Sequence, residues 1–141
     1  MDKVEEISLV SQGKTMEQSF SNLASNLFSY ISNPDEIKPK LTKTIIIREK
    51  NLKSLLYQYL KKVYDLALTE TILLHKVNNL TIETINKDYL LTAVIAGEKL
   101  TPEHKIKNKL KMLTDRNISI KEDKEGCTLQ INIIINKDEK I

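Results

Sequence analysis

The amino-acid sequence predicts an α+β fold, in which a mainly antiparallel sheet has two helices packed on one of its faces. Three observations predict this fold class. Two stretches with apolar residues at helical spacing lie in the first half of the chain, a strand-like run precedes each of them, and period-two patterns dominate the second half. The predicted order is β-α-β-α-β-β-β-β, within a single domain that spans residues 1–141.

The first strand and the first helix meet at Gly13. A strand-like run from Val4 to Val10 precedes this glycine. Thr15 then begins a helix, and Gln18 completes a capping box three residues later. The helix is predicted to extend to Ser32, just before an Asn-Pro-Asp break. Its apolar stripe consists of Phe20, Leu23, Ala24, Leu27, Phe28 and Ile31.

The second strand and the second helix repeat this arrangement. The segment from Leu41 to Arg48 is rich in β-branched residues, which favour strands. Asn51 is a suitable N-cap for a helix that extends to about Leu68. One apolar stripe follows that helix and is expected to face the core. It consists of Leu52, Leu55, Leu56, Tyr59, Leu60, Val63 and Ala67.

After Glu70 the hydrophobic period changes to two, which indicates consecutive strands. The predicted strands are 72–85 (continuous or broken between 77 and 80), 89–96, 110–120 and 128–135. A loop or single helical turn is expected at 97–104, and a charged hairpin loop at 121–126. The charged tail 136–141 is expected to fray.

Composition narrows the class of protein without identifying a function. The net charge of +3 permits an acidic partner or RNA but does not require one. Cys127 is the single cysteine, which excludes an internal disulfide framework and favours a reducing compartment. Its strand position favours a small buried residue over a reactive thiol. No secretory leader and no membrane-spanning run are apparent, so a cytoplasmic location is expected.

Several segments resemble the archease family in their order and spacing. The Gly-Lys-Thr-Met-Glu opening of the first helix is similar to the family's G-K-T-hydrophobic-E. The segment 55–60 resembles L-L-x-x-W/F-L, 69–74 resembles T-E-G-L-L-F, and 111–120 resembles K-A-V-T-Y-H-x-L-x-V. The loop 97–103 fits the family's G-E-P-x-D-P-E. Together these segments span nearly the whole chain.

The resemblance implies a function as well as a fold. Archeases are small accessory proteins, not ligases, and they promote the guanylylation and turnover of the GTP-dependent RNA ligase of tRNA splicing. A cluster of acidic residues in the family binds a divalent metal. The resemblance therefore implies a non-enzymatic protein whose partner is an RNA ligase. We expect no membrane partner and no DNA partner.

This sequence departs from the family at the positions that would bind the metal. The family's H-T-A-D opening is matched by Lys3-Val4-Glu5-Glu6, so a lysine replaces the histidine. The family's T-Y-H is matched by Thr114-Asp115-Arg116, and an aspartate of the last strand is matched by Ile134. Glu6 and Asp115 remain as candidate ligands of Ca²⁺ or Mg²⁺, which bind oxygen atoms. The alternative for the glutamates is a solvated charged edge.

A basic segment is the candidate contact for a partner or for RNA. Four lysines alternate with other residues, so in a strand they would share one face, and Arg116 lies farther along. The four are Lys105, Lys107, Lys109 and Lys111. Such a stripe could face phosphates, or it could protect an exposed strand from edge pairing. No aromatic residue lies nearby to stack on a base.

The two histidines, His75 and His104, lack a cysteine or a second histidine at metal-ligand spacing. His75 is expected to be a strand-end residue bonded to backbone or water, and His104 a surface residue of an exposed loop. Two alternatives to the accessory function stay open. One is a divergent archease-like scaffold that has lost the metal site and binds protein or RNA; the other is an enzyme of unrecognised type, against which the lack of a catalytic motif argues.

Overall fold

The structure is a computed structural model that describes residues 4–113 and 117–136. Within them, the strands and helices alternate at first and strands follow. The elements are β1 (Val4–Gly13), α1 (Met16–Ile31), a 3₁₀ turn (Pro34–Glu36), β2 (Leu41–Glu49), α2 (Leu52–Thr69), β3 (Ile72–Ile85), β4 (Asp88–Lys99), β5 (Lys109–Leu113), β6 (Ser119–Asp123) and β7 (Gly126–Asn136).

The predicted α+β class is confirmed, but the described strands form two sheets, where a single sheet was predicted. In the first sheet β7 pairs with β1 on one side and with β5 and β6 in succession on the other. In the second sheet β4 lies between β2 and β3. Every strand pair is antiparallel. A period-two pattern identifies strands but not their partners, so the division into two sheets could not be read from it.

The helices pack against both sheets. Helix α1 contacts β1 and β7 of the first sheet and β3 of the second, and α2 contacts β2, β3 and β4 as well as β6. One cluster of buried residues includes members of both helices and both sheets. The helices therefore contribute to a shared hydrophobic core, which is the main stabilising component of such a fold.

Both predicted helix starts are confirmed. Thr15 Oγ1 accepts a hydrogen bond from Gln18 N at 3.1 Å, and Asn51 Oδ1 accepts one from Ser54 N at 2.8 Å. In the usual capping box the Gln18 side chain would accept from the backbone N–H of the N-cap residue, Thr15. Here Gln18 Oε1 accepts instead from Lys14 N, one residue earlier, at 2.7 Å. These bonds satisfy N–H groups that have no partner inside the helix.

The prediction of one strand over 110–120 is wrong. Strand β5 ends at Leu113 and β6 begins at Ser119, and Asn117 has a left-handed φ of 62° in the connection. The predicted hairpin loop 121–126 is shorter, because β6 continues to Asp123 and the turn lies at 124–125. Strand β3 is continuous, although its pairing with β4 shifts register between Leu74 and Lys76 and between Val77 and Asn79.

The predicted frayed tail begins one residue too early. Asn136 belongs to β7 and is buried at 2% exposure, and residues 137–141 lie outside the described residues. Neither helix in the described chain combines the length and apolar character needed to cross a bilayer.

Candidate functional site

The candidate metal positions that the structure describes lie opposite each other in the first sheet. Glu6 of β1 is the cross-strand partner of Ile134 of β7, and Met112 of β5 pairs with Ile134 from the other side. The alignment of this sequence with the family motifs therefore selected two positions, Glu6 and Ile134, that are cross-strand neighbours in the fold. Together with Met112 they form one row across the sheet. Lys3 and Asp115, the other positions of this comparison, lie outside the described residues.

The described residues of this row do not fit a divalent-cation site of the family type. Glu6 is exposed, and the side chain opposite it, Ile134, has no oxygen atom. Ca²⁺ and Mg²⁺ bind about six to eight oxygen ligands, usually with several carboxylates among them. Within 4–113 and 117–136, no group of three or more histidine, cysteine or acidic side chains is close enough to hold a metal ion.

The basic segment lies partly on β5 and partly in the stretch before it, which is bonded to the C-terminal end of α1. The prediction of an alternating strand is wrong for 105–108, because strand pairing begins only at Lys109. Lys107 N donates to Ile31 O at 2.7 Å and Lys107 Nζ donates to Ser29 O at 3.1 Å. Asn108 Nδ2 donates to Tyr30 O at 2.6 Å.

These bonds give Lys107 and Asn108 a structural role at the C-terminus of α1. The last carbonyl groups of a helix have no partner within it, and a cation there also interacts favourably with the helix dipole. Lys105 is exposed and Lys109 is half-buried. Arg116 lies outside the described residues. Contact of these residues with a partner or with RNA stays a prediction.

A buried carboxylate that the sequence analysis missed organises the loop after β4. Glu98 is 6% exposed and its Oε2 accepts from Lys38 N at 2.6 Å. His104 Nε2 lies 3.3 Å from the same oxygen, and Lys40 Nζ lies 3.7 Å from Oε1. The hydrogen bond from Lys38 N lowers the pKa of Glu98 most, and His104 and Lys40 lower it further.

His104 is part of this cluster, so its prediction as simple surface is wrong. Its side chain is 12% exposed. Thr101 N donates to His104 Nδ1 at 2.8 Å, which leaves Nε2 to carry the proton and donate to Glu98. The sequence did hold a signal: Glu98 belongs to the segment similar to G-E-P-x-D-P-E, and His104 directly follows that segment.

His75 has the predicted backbone contact, because its Nδ1 lies 3.2 Å from the backbone oxygen of Pro34. The prediction of a strand-end position is wrong, because His75 lies inside β3. Cys127 is buried at the start of β7, and its Sγ lies 3.5 Å from Met16 Sδ. Burial raises the pKa of this thiol, which disfavours the reactive thiolate. The cysteine is therefore a buried strand residue, as its sequence position favoured.

An open cleft adjoins the loop after β4. It has a volume of about 750 Å³, and both apolar and basic side chains line it. Its lining residues are Leu100, Thr101, Pro102, His104, Lys105, Ile106 and Lys107. The cleft therefore places two lysines of the predicted contact segment beside the Glu98–His104 cluster.

Comparison with known proteins agrees with the arrangement of these elements. The model of the Archease protein family (MTH1598/TM1083) matches residues 6–134. A protein archease of Thermococcus kodakarensis is 30% identical over 115 residues, which cover 81% of this chain and 80% of that protein. A protein archease of Pyrococcus abyssi is 29% identical over 129 residues, covering 86% and 85%.

A solved structure supports the fold independently. The solution structure of Methanobacterium thermoautotrophicum protein 1598 superposes with a TM-score of 0.75 at 17% sequence identity. The superposition covers 94% of this chain and 97% of that one. At this identity the likeness concerns the fold alone, whereas the family model matches the sequence from β1 to β7. This chain belongs to the archease family.

Proposed function

We propose that this archease is a non-enzymatic accessory protein that activates a GTP-dependent RNA ligase of tRNA splicing or RNA repair, by promoting the ligase's guanylylation and turnover. The observation that carries the proposal is the family match over residues 6–134, which includes strands of both sheets and both helices. The activity itself is what the family resemblance implies, and the ligase is the proposed partner.

The chemistry of the described side chains supports an accessory function over catalysis by the chain itself. The Cys127 thiol is buried, and both ring nitrogens of His104 have partners within its own loop and β4. His75 contacts the backbone of Pro34. Nucleophilic catalysis needs an accessible nucleophile beside a base, and these groups do not supply that pair.

The proposed contact surface for the ligase or its RNA is the basic segment beside the open cleft. It comprises Lys105, Lys107 and Lys109, with Lys111 and Arg116 as its predicted continuation. Lys105 is the sharper probe, because Lys107 also caps α1. We expect Lys105→Glu combined with Lys109→Glu to reduce a salt-dependent affinity, and Lys124→Glu in the β6–β7 turn to leave it unchanged.

The decisive experiment is multiple-turnover ligation by the GTP-dependent RNA ligase of the same organism, with and without this protein. The proposal predicts faster guanylylation of the ligase and more ligated product per ligase molecule. Direct binding to the ligase is measured on the same samples. Binding without any increase in guanylylation or turnover would contradict the proposal and favour the second candidate.

That second candidate is a divergent archease that has lost the family's metal site and binds protein or RNA. The observation in its favour is Ile134, which stands opposite Glu6 where the family usually has an aspartate. The first candidate instead has Glu6 and Asp115 retain a divalent ion, Ca²⁺ or Mg²⁺. Calorimetric titration with each ion separates them, because binding that Glu6→Ala abolishes requires a working site.

Two further variants test whether the ion binds at the row that contains Glu6. Glu83→Ala removes an exposed carboxylate from β3 in the other sheet, and it should leave ion binding unchanged. Ile134→Asp places a carboxylate directly across from Glu6, and it should strengthen binding if this row is the metal site. Loss of binding in the Glu83 variant, or no effect of Ile134→Asp, would place the ion elsewhere.

A further inference from the structure

The lateral edges of the two sheets differ in how they are protected. A strand at a sheet edge presents unpaired N–H and C=O groups to solvent, and proteins usually block such edges. The C-terminal part of strand β1 is blocked by helix α1: Asn26 Nδ2 donates to Val10 O at 2.8 Å, and Asn22 Nδ2 donates to Gln12 O at 2.7 Å. These carbonyl groups are therefore satisfied within the chain.

The other edges carry different protective features. Strand β3 has two register irregularities in its pairing with β4, and irregular edges pair poorly with another strand. Strands β5 and β6 are each five residues long. Short edge strands offer few backbone groups to a second chain.

Strand β2 lacks these features. It has nine residues, and its pairing with β4 runs without irregularity from Leu41–Gly97 to Glu49–Tyr89. In the described part of the chain, no side chain bonds to the β2 backbone as the two asparagines bond to β1. Ile46, next to the middle residue of the strand, is 66% exposed. A long, regular edge with an exposed isoleucine is suited to strand pairing.

The charged residues of β2 do not guard this edge in the usual way. Lys43 Nζ is 2.9 Å from Glu70 Oε1, and Arg48 Nε is 3.0 Å from Asp88 Oδ2. Both cations therefore have a carboxylate partner in their own chain. The Lys43 side chain is still 43% exposed, so its ammonium group has room for a second carboxylate besides Glu70. An open cleft of about 430 Å³ lies between the second half of β2 and α2. Its lining contains both lysine and acidic side chains, and this mixture favours a protein over a polyanion as the binding partner.

We propose that β2 pairs with β2 of a second copy of this chain, antiparallel about a two-fold axis at Ile46. This register sets Ile46 opposite the partner's Ile46, and Lys43 opposite the partner's Glu49. By symmetry the charge pair forms twice. A register shift by two residues in one direction places Lys43 opposite Ile47, and a shift in the other direction places Arg48 opposite Ile46. Either shift loses both charge pairs. The dimer joins the two second sheets into one continuous antiparallel sheet.

The charge pairs make the proposal testable by complementation. Lys43→Glu and Glu49→Lys each place like charges opposite each other twice in a homodimer, so each variant alone should dimerise at least roughly tenfold more weakly. An equimolar mixture of the two variants restores both opposite-charge pairs. Sedimentation velocity over a concentration series should therefore show a heterodimer in the mixture, at an affinity near that of the wild type.

A control separates this register from general charge effects. Glu83→Lys makes the same charge change as Glu49→Lys on exposed β3, and it should leave the wild-type association unchanged. Circular dichroism establishes that each variant is folded. A wild type that stays monomeric up to its solubility limit would overturn the proposal. So would single variants that weaken association without recovery on mixing, because the interface would then be elsewhere.

Cross-linking supplies a second readout that does not depend on charge. In the proposed register Ile46→Cys brings two thiols together on the axis, and mild oxidation should yield a covalent dimer. Thr42→Cys, on the same strand but away from the axis, should not cross-link, and Cys127 is buried. Equal cross-linking of both variants, or pairing of β2 with an unrelated protein only, would contradict self-association through this register.

Discussion

The Tyr59 hydroxyl is buried in the core without a hydrogen-bond partner in the described part of the chain. Burial raises the pKa of this phenol, because the charged form is poorly solvated there. The tyrosine occupies the aromatic position of the segment that resembles L-L-x-x-W/F-L, and neither Trp nor Phe carries a hydroxyl group there. A single hydroxyl group is therefore the part of this side chain that the surrounding core does not accommodate.

We expect Tyr59→Phe to raise the free energy of unfolding by about 1 kcal/mol, since it removes a buried polar group that has no partner. Urea denaturation measures the change. Tyr64→Phe is the matched control, because the Tyr64 hydroxyl accepts from Leu110 N at 3.0 Å and donates to Leu110 O at 3.1 Å. That variant should lose about 1–3 kcal/mol. A Tyr59 variant that is less stable than wild type would contradict the prediction.

At the scale of elements, charged contacts made by Glu98 hold the loop after β4 in place. Glu98 accepts a hydrogen bond from the backbone of Lys38 and contacts His104, so it joins the segment before β2 to this loop. Gly97 precedes it at a close approach of two strands, where a Cβ atom would collide with Leu73 O. The sequence predicted a loop from Gly97 to His104, but β4 continues through Gly97 and Glu98 to Lys99, so the loop is shorter than predicted.

The lowered pKa of Glu98 predicts the direction of its pH dependence. Its carboxylate stabilises the folded state at pH values above the ordinary pKa of a glutamate, and this stabilisation is lost as the pH falls through the lower pKa of the folded state. The midpoint temperature of thermal unfolding should therefore decrease less steeply from neutral to acidic pH for Glu98→Gln than for wild type. Glu103→Gln, exposed in the same loop, should follow the wild-type curve. The same dependence of the unfolding midpoint on pH in all three proteins would contradict a stabilising role of the Glu98 carboxylate.

At the scale of the whole molecule, α1 connects the two sheets. It contacts β1 and β7 of one sheet and β3 of the other, and its Phe20 ring lies 5.9 Å from the ring of Tyr59 on α2. Both aromatic residues belong to the cluster of buried residues that spans the two sheets. The stability of either sheet should therefore depend on the packing of this helix.

We expect Phe20→Ala to cost about 3–5 kcal/mol of unfolding free energy, because it removes a fully buried ring and leaves a cavity. Both sheets should lose stability together. Denaturant-dependent hydrogen exchange at amides of β4 and β7 measures this, with one strand reporting on each sheet. Ser21→Ala, one residue along and part-buried, controls for general effects on the helix. Loss of protection in only one sheet would show that the sheets unfold independently.

The sequence alone determined the local elements of this protein, because their signals are local. Thr15 and Asn51 begin the helices as predicted, since a cap depends on residues within one turn. Apolar spacing identified the faces of both helices that the structure buries. The family resemblance also rested on short motifs in order along the chain, and the family match confirms it.

Only the tertiary structure decided which segments meet. Strand periodicity carries no information about partners, so the two sheets and the break between β5 and β6 were not predictable from it. Glu98 meets Lys38 across 60 residues of sequence, and Glu6 faces Ile134 across the width of β1 and β7. Such contacts depend on the packing of the whole chain, which is the physical reason that the candidate site was harder to predict than the elements that carry it.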